Sequence, residues 1–376
     1  MGVRQYLLGI DVGTTGTKAL LFDTEGTLHG RSYCGYQTRT PQVGRSEQNA
    51  EDWWNAVCTT VRALCADPEV GENVIAMSLS TQGGTVVPVD ENASALRPAI
   101  VWNDLRCGEE AAAFVREQKD AARMYEKTGW ALSDGLPAMQ LRWLGAHEPE
   151  VFRRAARFAT VPDYLSLKLT GIAATDPSNA GIDQLYDIRR GCCDAELLRF
   201  AGVTEAQLPK LVHSGGIIGR LTPEAAAALG LSERCVLAAG AHDQYAAALG
   251  VGAYRKGDIL IGSGTCWVIT ALDDHPDFSS GLAQSAAAVP GMWGSLWSLS
   301  SGGICLDWLR NKLGAGDSYE TLNAEVSRRK AAEDGLFFYP FTGTKGGQAL
   351  QRAQFTGLDL LHDRYHLARA VMEGVA

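Results

Sequence analysis

The chain has 376 residues, 46% of them hydrophobic and 20% charged, with a formal net charge of -9 and a pI near 5.3. An acidic balance disfavours a nucleic-acid or anionic-membrane partner, which requires a basic face, and no run approaches the roughly 18 apolar residues of a membrane span. At roughly 150 residues per domain the length suggests two domains, each able to bury its own core.

The opening "MGVRQYLLGID" lacks the long apolar stretch of a signal peptide, so the expected compartment is the cytoplasm. "YLLGIDVGTTGTKALLFD" then runs an apolar strand through a Gly-Thr-Thr-Gly-Thr turn into a second strand. With "DTEGTLHGRSYCGYQ" it predicts a meander. "SEQNAEDWWNAVCTTVRALCAD" predicts a helix capped by Ser46 or Asn49, with Trp53, Val57, Val61 and Leu64 on one face. "VIAMSLST" and "TVVPVD" read as strands, "CGEEAAAFVREQ" and "GLPAMQLRWLGAHEP" as helical stretches. "LPKLVHSGGIIGRLTPEAAAALGL" reads as a loop plus a helix, and "CVLAAG" as a strand at which the domain changes. "GDILIGSGTCWVITALDD" then repeats the opening pattern of strand, Gly/Ser/Thr turn and strand. The nine cysteines contain no CxxC pair, and Cys58, Cys65 and Cys266 sit in apolar runs. Reduced buried thiols are therefore expected, with Cys192 and Cys193 in a surface turn.

Three stretches carry chemistry. The first turn is not a Walker loop, because no helix follows Lys18, and it is not a Rossmann turn, because G-x-G-x-x-G is absent. What remains is a hairpin tip whose amides form a concavity for oxyanions, supplemented by the hydroxyls of Thr14, Thr15 and Thr17. Asp11 cannot bind phosphate and suits a magnesium ion or its waters. An ordinary tight hairpin explains one such turn; a second at Gly262–Thr265 argues against that explanation. Next, "CVLAAGAHDQYAAALGVGAY" places Asp243 at the start of an Ala-rich helix, where an ionised carboxylate is stabilised. It can serve there as a general base or simply as an N-terminal cap. His242 reads as a packing or supporting residue. Last, "STQGGTVVPVD" with "RPAIVWNDLR" gathers Gln82, Gly83, Trp102, Asn103, Asp104 and Arg106, groups of the kind that bind hydroxyls; a surface turn with an Asp–Arg pair is the alternative.

Taken together, the chain resembles the FGGY carbohydrate kinases of the actin-like, ribonuclease-H-like ATPase superfamily, and looks most like the xylulose kinases. The matching segments are "GIDVGTTGTKALLFDTEG", "LRPAIVWNDLRC", "VPDYLSLKLTG" with "DPSNAG", "AAGAHDQYAAALGVG", "IGSGTCWVI", "SSGGICLDWL" and "FTGLDLLHDRYHLARAVMEGVA", in family order over nearly the whole length. The resemblance implies an α/β fold of two ribonuclease-H-like domains with an interdomain cleft, residues 1–238 forming the first domain and 239–376 a partial second one. It implies ATP and Mg²⁺ as cofactors, with Asp11 at the metal and Gly13, Thr14, Thr15 and Lys18 at the phosphates. Gly264 and Thr265 would form the second phosphate turn. Asp243 would take the proton from the attacking hydroxyl, and Gln82, Gly83, Trp102, Asp104 and Arg106 would line the site of a small-molecule sugar or polyol. A ketopentose such as xylulose is the expected acceptor, and a homodimer is common among such kinases.

Two departures stand against the pattern. Xylulose kinases carry Gln-Met-His-Gly where this chain has "TQGG", and the pair typical of glycerol kinases is absent too. The family's adenosine segment is also missing after "AVMEGVA", so the second domain is expected to be incomplete. On that view the alternative is a non-catalytic, sugar-binding remnant.

Overall fold

The computed structural model describes residues 4–117, 121–264, 266–299, 302–313, 317–329, 335–340 and 352–376. The chain forms two compact units, Met1–Asp258 with Leu272–Ser295, and Ile259–Ala271 with Leu296–Ala376. The partition expected between 238 and 239 falls inside a strand of the first unit's main sheet, so the segment after it stays with the first unit.

The first unit begins with the predicted meander: β1 (Tyr6–Val12), β2 (Gly16–Asp23) and β3 (Leu28–Gly35), each antiparallel to the next. The sheet is completed by β4 (Val74–Thr81), β5 (Ile217–Arg220) and β6 (Val236–His242), in the order β5-β6-β4-β1-β2-β3. β4 runs parallel to β1 and β6 runs parallel to β4. β5 was not anticipated. It is a four-residue edge strand, too short and too glycine-bounded to show a period, within the stretch expected to be loop.

Alternation decides the faces of β1. Leu8, Ile10 and Val12 point into the core, which leaves Gly9 and Asp11 on the opposite face. Helix α1 (Ala50–Leu64) covers the core face. It is capped by Asn49, whose side chain accepts from the Glu51 amide, so Ser46 is not the cap. Trp53, Val57 and Val61 on α1 are fully buried, and Trp53 meets Tyr164 edge-on with centroids 5.8 Å apart. Tyr164 belongs to α2 (Val161–Thr170), which closes the same core with α4 (Pro223–Leu229); α3 (Pro177–Ile182) lies between them in sequence. A second core within this unit gathers Ile100, Met139, Leu144 and Phe158 around the helix Pro137–His147. Helix α5 (Asp243–Gly250) leaves β6 without an intervening loop.

In the second unit, β7 (Ile259–Ser263) and β8, which begins at Trp267 and runs to Asp273, form an antiparallel hairpin, as the repeated pattern predicted. The core of this unit is helical. Leu309 on α6 (Gly303–Lys312), Leu322 on α7 (Tyr319–Ser327) and Val371 on α8 (Arg364–Val375) meet around Phe338. No disulfide joins the nine cysteines. Cys65 is buried as expected, whereas Cys266 is exposed despite its apolar neighbours, because it lies in the turn rather than in the strand. Among the described residues no helix is long and apolar enough to cross a membrane.

Candidate active site

Three parallel strands deliver the site. Val12 of β1 pairs with Thr81 of β4, which in turn pairs with His242 of β6, so the residues that follow these strands emerge along one sheet edge. Gly13, Gln82 and Asp243 come from there, and the carboxyl ends of parallel strands are where α/β sheets bind ligands.

The first turn is closed by the Gly13 amide donating to the Gly16 carbonyl at 3.1 Å. Its carbonyls are held from outside. The Tyr36 hydroxyl donates to Gly13 O, Gln48 Nε2 to Thr14 O at 2.7 Å, and the Tyr33 hydroxyl to Thr15 O at 3.2 Å. With the carbonyls engaged, the amides of Thr14 and Thr15 donate to no described group. Two free amides at a hairpin tip are what an oxyanion requires.

Gln48, which the sequence reading passed over, is the hub of this bracing. It is buried, donates also to Thr38 Oγ1, and accepts from Trp53 Nε1 at 3.0 Å and from Gln82 Nε2 at 2.9 Å. Gln82 in turn accepts from the Thr14 hydroxyl at 3.0 Å. The Gln82 amide, expected at the sugar, therefore supports the turn, because both of its polar atoms already have partners inside the protein. Trp102 stands beside the same turn. Its Nε1 donates to Thr14 Oγ1 at 3.1 Å while the side chain remains 43% exposed, offering an aromatic face beside the turn.

Asp104 and Arg106 do not stand open to a ligand. Asp104 accepts from the Ser46 amide and from the Arg106 amide and guanidinium, and Arg106 also reaches Glu47 at 2.8 Å and lies over Trp143. The burial of both, at 1% side-chain exposure for Arg106, is sustained by this mutual pairing. It braces the loop that carries Trp102.

Asp11 faces Ser80 on one neighbouring strand and Lys18 on the other, as the ladder registers require. Ser80 donates to Oδ1 at 2.9 Å and Lys18 Nζ lies 3.9 Å from Oδ2. Burial pushes the Asp11 carboxyl above its usual range. Ser80 and Lys18 pull it back, and the Asp243 carboxylate pushes it further up. A partly buried carboxylate whose charge a neighbouring carboxylate disfavours fits a magnesium ion, which prefers carboxylate and water oxygens. Ser80 carries no local signal, because the same strand also holds Ser78 and Thr81; only the register that sets it opposite Asp11 singles it out. Asp243 opens α5, where the helix N-terminus favours its charge. Its Oδ1 accepts from Gln244 Nε2 at 3.1 Å, and its side chain is one-third exposed.

Gly83 and Gly84 follow Gln82, and Gly84 adopts a φ of +72°, which favours glycine. In the second unit the Gly264 amide donates to Cys266 O at 3.2 Å, and Gly264 O accepts from the Gly303 amide at 3.0 Å. Thr265, expected beside it at the phosphates, lies outside the described residues.

Residues 6–250 match the N-terminal domain of the FGGY family of carbohydrate kinases. A gluconokinase of Bacillus subtilis (strain 168) is 30% identical, the alignment covering 99% of this chain and 75% of that protein. A xylulose kinase of Lactococcus lactis subsp. lactis (strain IL1403) is 32% identical, over 98% of this chain and 74% of its own length. The crystal structure of xylulose kinase from Rhodospirillum rubrum superposes with a TM-score of 0.91 at 28% identity, covering 99% of this chain and 76% of that one. The α/β architecture and the matched family domain together place this chain in the FGGY family of carbohydrate kinases, which use ATP with Mg²⁺ as phosphate donor and cofactor.

Proposed function

We propose that the chain transfers the γ-phosphoryl group of ATP to a hydroxyl of a neutral polyhydroxylated acceptor, a ketopentose such as xylulose. The observation that carries this reading is the pair of amides at Thr14 and Thr15 that donate to no group among the described residues, on the same sheet edge as the carboxylate of Asp243. The amides hold phosphate oxygens, with Lys18 adding positive charge at the adjacent strand. Asp11, oriented by Ser80, holds magnesium, which when bound neutralises charge on the phosphates. The Asp243 carboxylate accepts the proton of the acceptor hydroxyl as its oxygen bonds to the γ-phosphorus and the bond to ADP breaks. The products are a sugar phosphate, ADP and a proton passed on from Asp243. In so loose a transition state the protein contributes mainly position and charge stabilisation.

A neutral acceptor is favoured over an aldonic acid by the side chains around this edge. The exposed Trp102 and the partly exposed Gln244 are uncharged, Arg106 is committed to Asp104 and Glu47, and Lys18 stands beside Asp11 at the phosphate turn. The test is ADP release from magnesium-ATP with D-xylulose, glycerol and D-gluconate supplied in turn. The highest kcat/KM is expected with D-xylulose. A tenfold preference for gluconate would overturn the neutral-acceptor assignment, and ADP release indifferent to every acceptor would overturn the kinase reading.

A further inference from the structure

We propose that His242 is a positioning residue for the Asp243 carboxylate, and that position 83 is glycine because the His242 ring occupies the space a side chain there would need. The inference rests on the reading of Asp243 as the base, and concerns what holds that base in place.

His242 ends β6 and immediately precedes α5, so its backbone sets the direction from which Asp243 leaves the sheet. That backbone is anchored: the His242 amide donates to Ser178 Oγ at 2.9 Å, and the Ser178 hydroxyl donates to the buried Asp176 carboxyl at the head of α3. The ring is 8% exposed by residue and lies beside the buried Tyr245, one helical turn on, with centroids 5.9 Å apart. On another side lies Gly83. A Cβ built there would stand 2.6 Å from His242 Cδ2, 2.9 Å from Nε2 and 3.1 Å from Ile182 Cγ2. Any side chain at 83 and the present histidine rotamer are therefore mutually exclusive.

The polar atoms of the ring show what the arrangement serves. Nε2 lies 3.5 Å from Asp243 Oδ1, whereas Nδ1 is buried without a hydrogen-bond partner among the described residues. Here the one nitrogen with a polar neighbour faces the carboxylate. With the proton on Nε2 it presents a donor to Oδ1, and the unpartnered atom becomes an acceptor, the less costly kind of orphan. A distance of 3.5 Å exceeds a formed hydrogen bond, and such contacts commonly tighten when the reacting complex assembles. Gln244 already donates to the same Oδ1. Both nitrogen groups thus act on one carboxylate oxygen, leaving Oδ2, which accepts no hydrogen bond among the described residues, to meet the acceptor hydroxyl.

The test uses the full chain, magnesium-ATP and D-xylulose, with Asp243→Asn assayed in parallel. His242→Leu should lower kcat by roughly ten- to a hundredfold, the scale of a misplaced catalytic group, with both KM values within about threefold. His242→Gln, whose amide reaches about as far as Nε2, should restore most of kcat. Gly83→Ala should lower kcat in the wild-type background by displacing the ring, yet add little once His242→Ala has emptied that space and only the 3.1 Å contact with Ile182 Cγ2 remains. Unchanged kcat in His242→Leu overturns the proposal, as does failure of His242→Gln to recover kcat while thermal stability recovers, or additive losses in the Gly83/His242 cycle. If instead Asp243→Asn stays active, it is the base assignment that fails. The parallel assay therefore separates the two failures.

Discussion

The two Gly/Thr hairpins share a sequence pattern, yet the structure treats them differently. In the first, alternate residues of β1 are buried under α1, and the turn carbonyls are bonded by Tyr36, Gln48 and Tyr33. In the second, Ile259 and Ile261 of β7 are 62% and 55% exposed, and the turn is held by backbone bonds at Gly264. The contrast extends to the interiors. The first unit buries Gln48, Gln82, Asp104, Asp163, Asp176, Asp183 and His242, whereas Thr270 is the buried polar residue of the second unit among the described residues. An apolar strand, a small polar turn and another strand encode a hairpin. They do not encode its bracing, which comes from side chains far away in sequence.

If the first unit is organised around chemistry, the largest loss should follow from removing its base. Asp243→Asn is expected to reduce kcat by about 10²–10⁴-fold, the usual contribution of general base catalysis, with acceptor affinity changed by no more than a few-fold. A coupled assay for ADP, with calorimetry for the acceptor, measures both. Turnover at the wild-type level would remove Asp243 from the mechanism and leave the polar interior of the first unit without a catalytic purpose.

The turns themselves can be compared directly through their glycines. A Cβ at Gly16 would stand 2.6 Å from the Tyr33 hydroxyl and 2.7 Å from the Cys34 carbonyl, while one at Gly264 would meet its nearest atom, Cys266 O, at 3.6 Å. Gly16→Ala should therefore destabilise by about 1–3 kcal/mol, as overpacking does, and raise the KM for ATP by loosening Thr15. Gly264→Ala should leave thermal stability almost unchanged. Equal effects in melting experiments would mean that the two hairpins are braced alike.

Much of the framework was legible from residue pattern. The meander, the α1 stripe of Trp53 and Val57, the second hairpin and the position of Asp243 at a helix start all follow from local periodicity and turn chemistry. Site roles were less legible. Gln82, Asp104 and Arg106 have the right chemistry for a hydroxyl-rich ligand, but that chemistry serves equally well to satisfy another part of the protein. The deciding partners lie 34 residues away for the Gln82–Gln48 bond and 58 for the Ser46–Asp104 bond, beyond any local signal. The short edge strand β5 was hidden for a related reason. Its identity depends on pairing with β6, and its four residues show no alternation of their own.

A smaller effect distinguishes the polar interior of the first unit from the apolar one of the second. Asp163 forms a capping box at the head of α2, accepting from the Thr160 amide at 2.8 Å and from the Thr160 hydroxyl. Burial nevertheless pushes its carboxyl up to about 7, against the lowering pull of those bonds. In the unfolded chain the same group releases its proton near 3.9. Between about pH 4 and 7 the folded state therefore holds a proton that the unfolded state has lost, and the contribution of this group to stability declines as pH rises through that window. Asp163→Asn keeps an oxygen for the Thr160 donors and removes the titration. From pH 5 to pH 8 the melting temperature of the wild type should fall further than that of the variant, by about 2–4 °C. Parallel profiles would show that Asp163 stays ionised, and would assign the pH sensitivity of the first unit to other buried carboxyls such as Asp183, which burial also pushes upward.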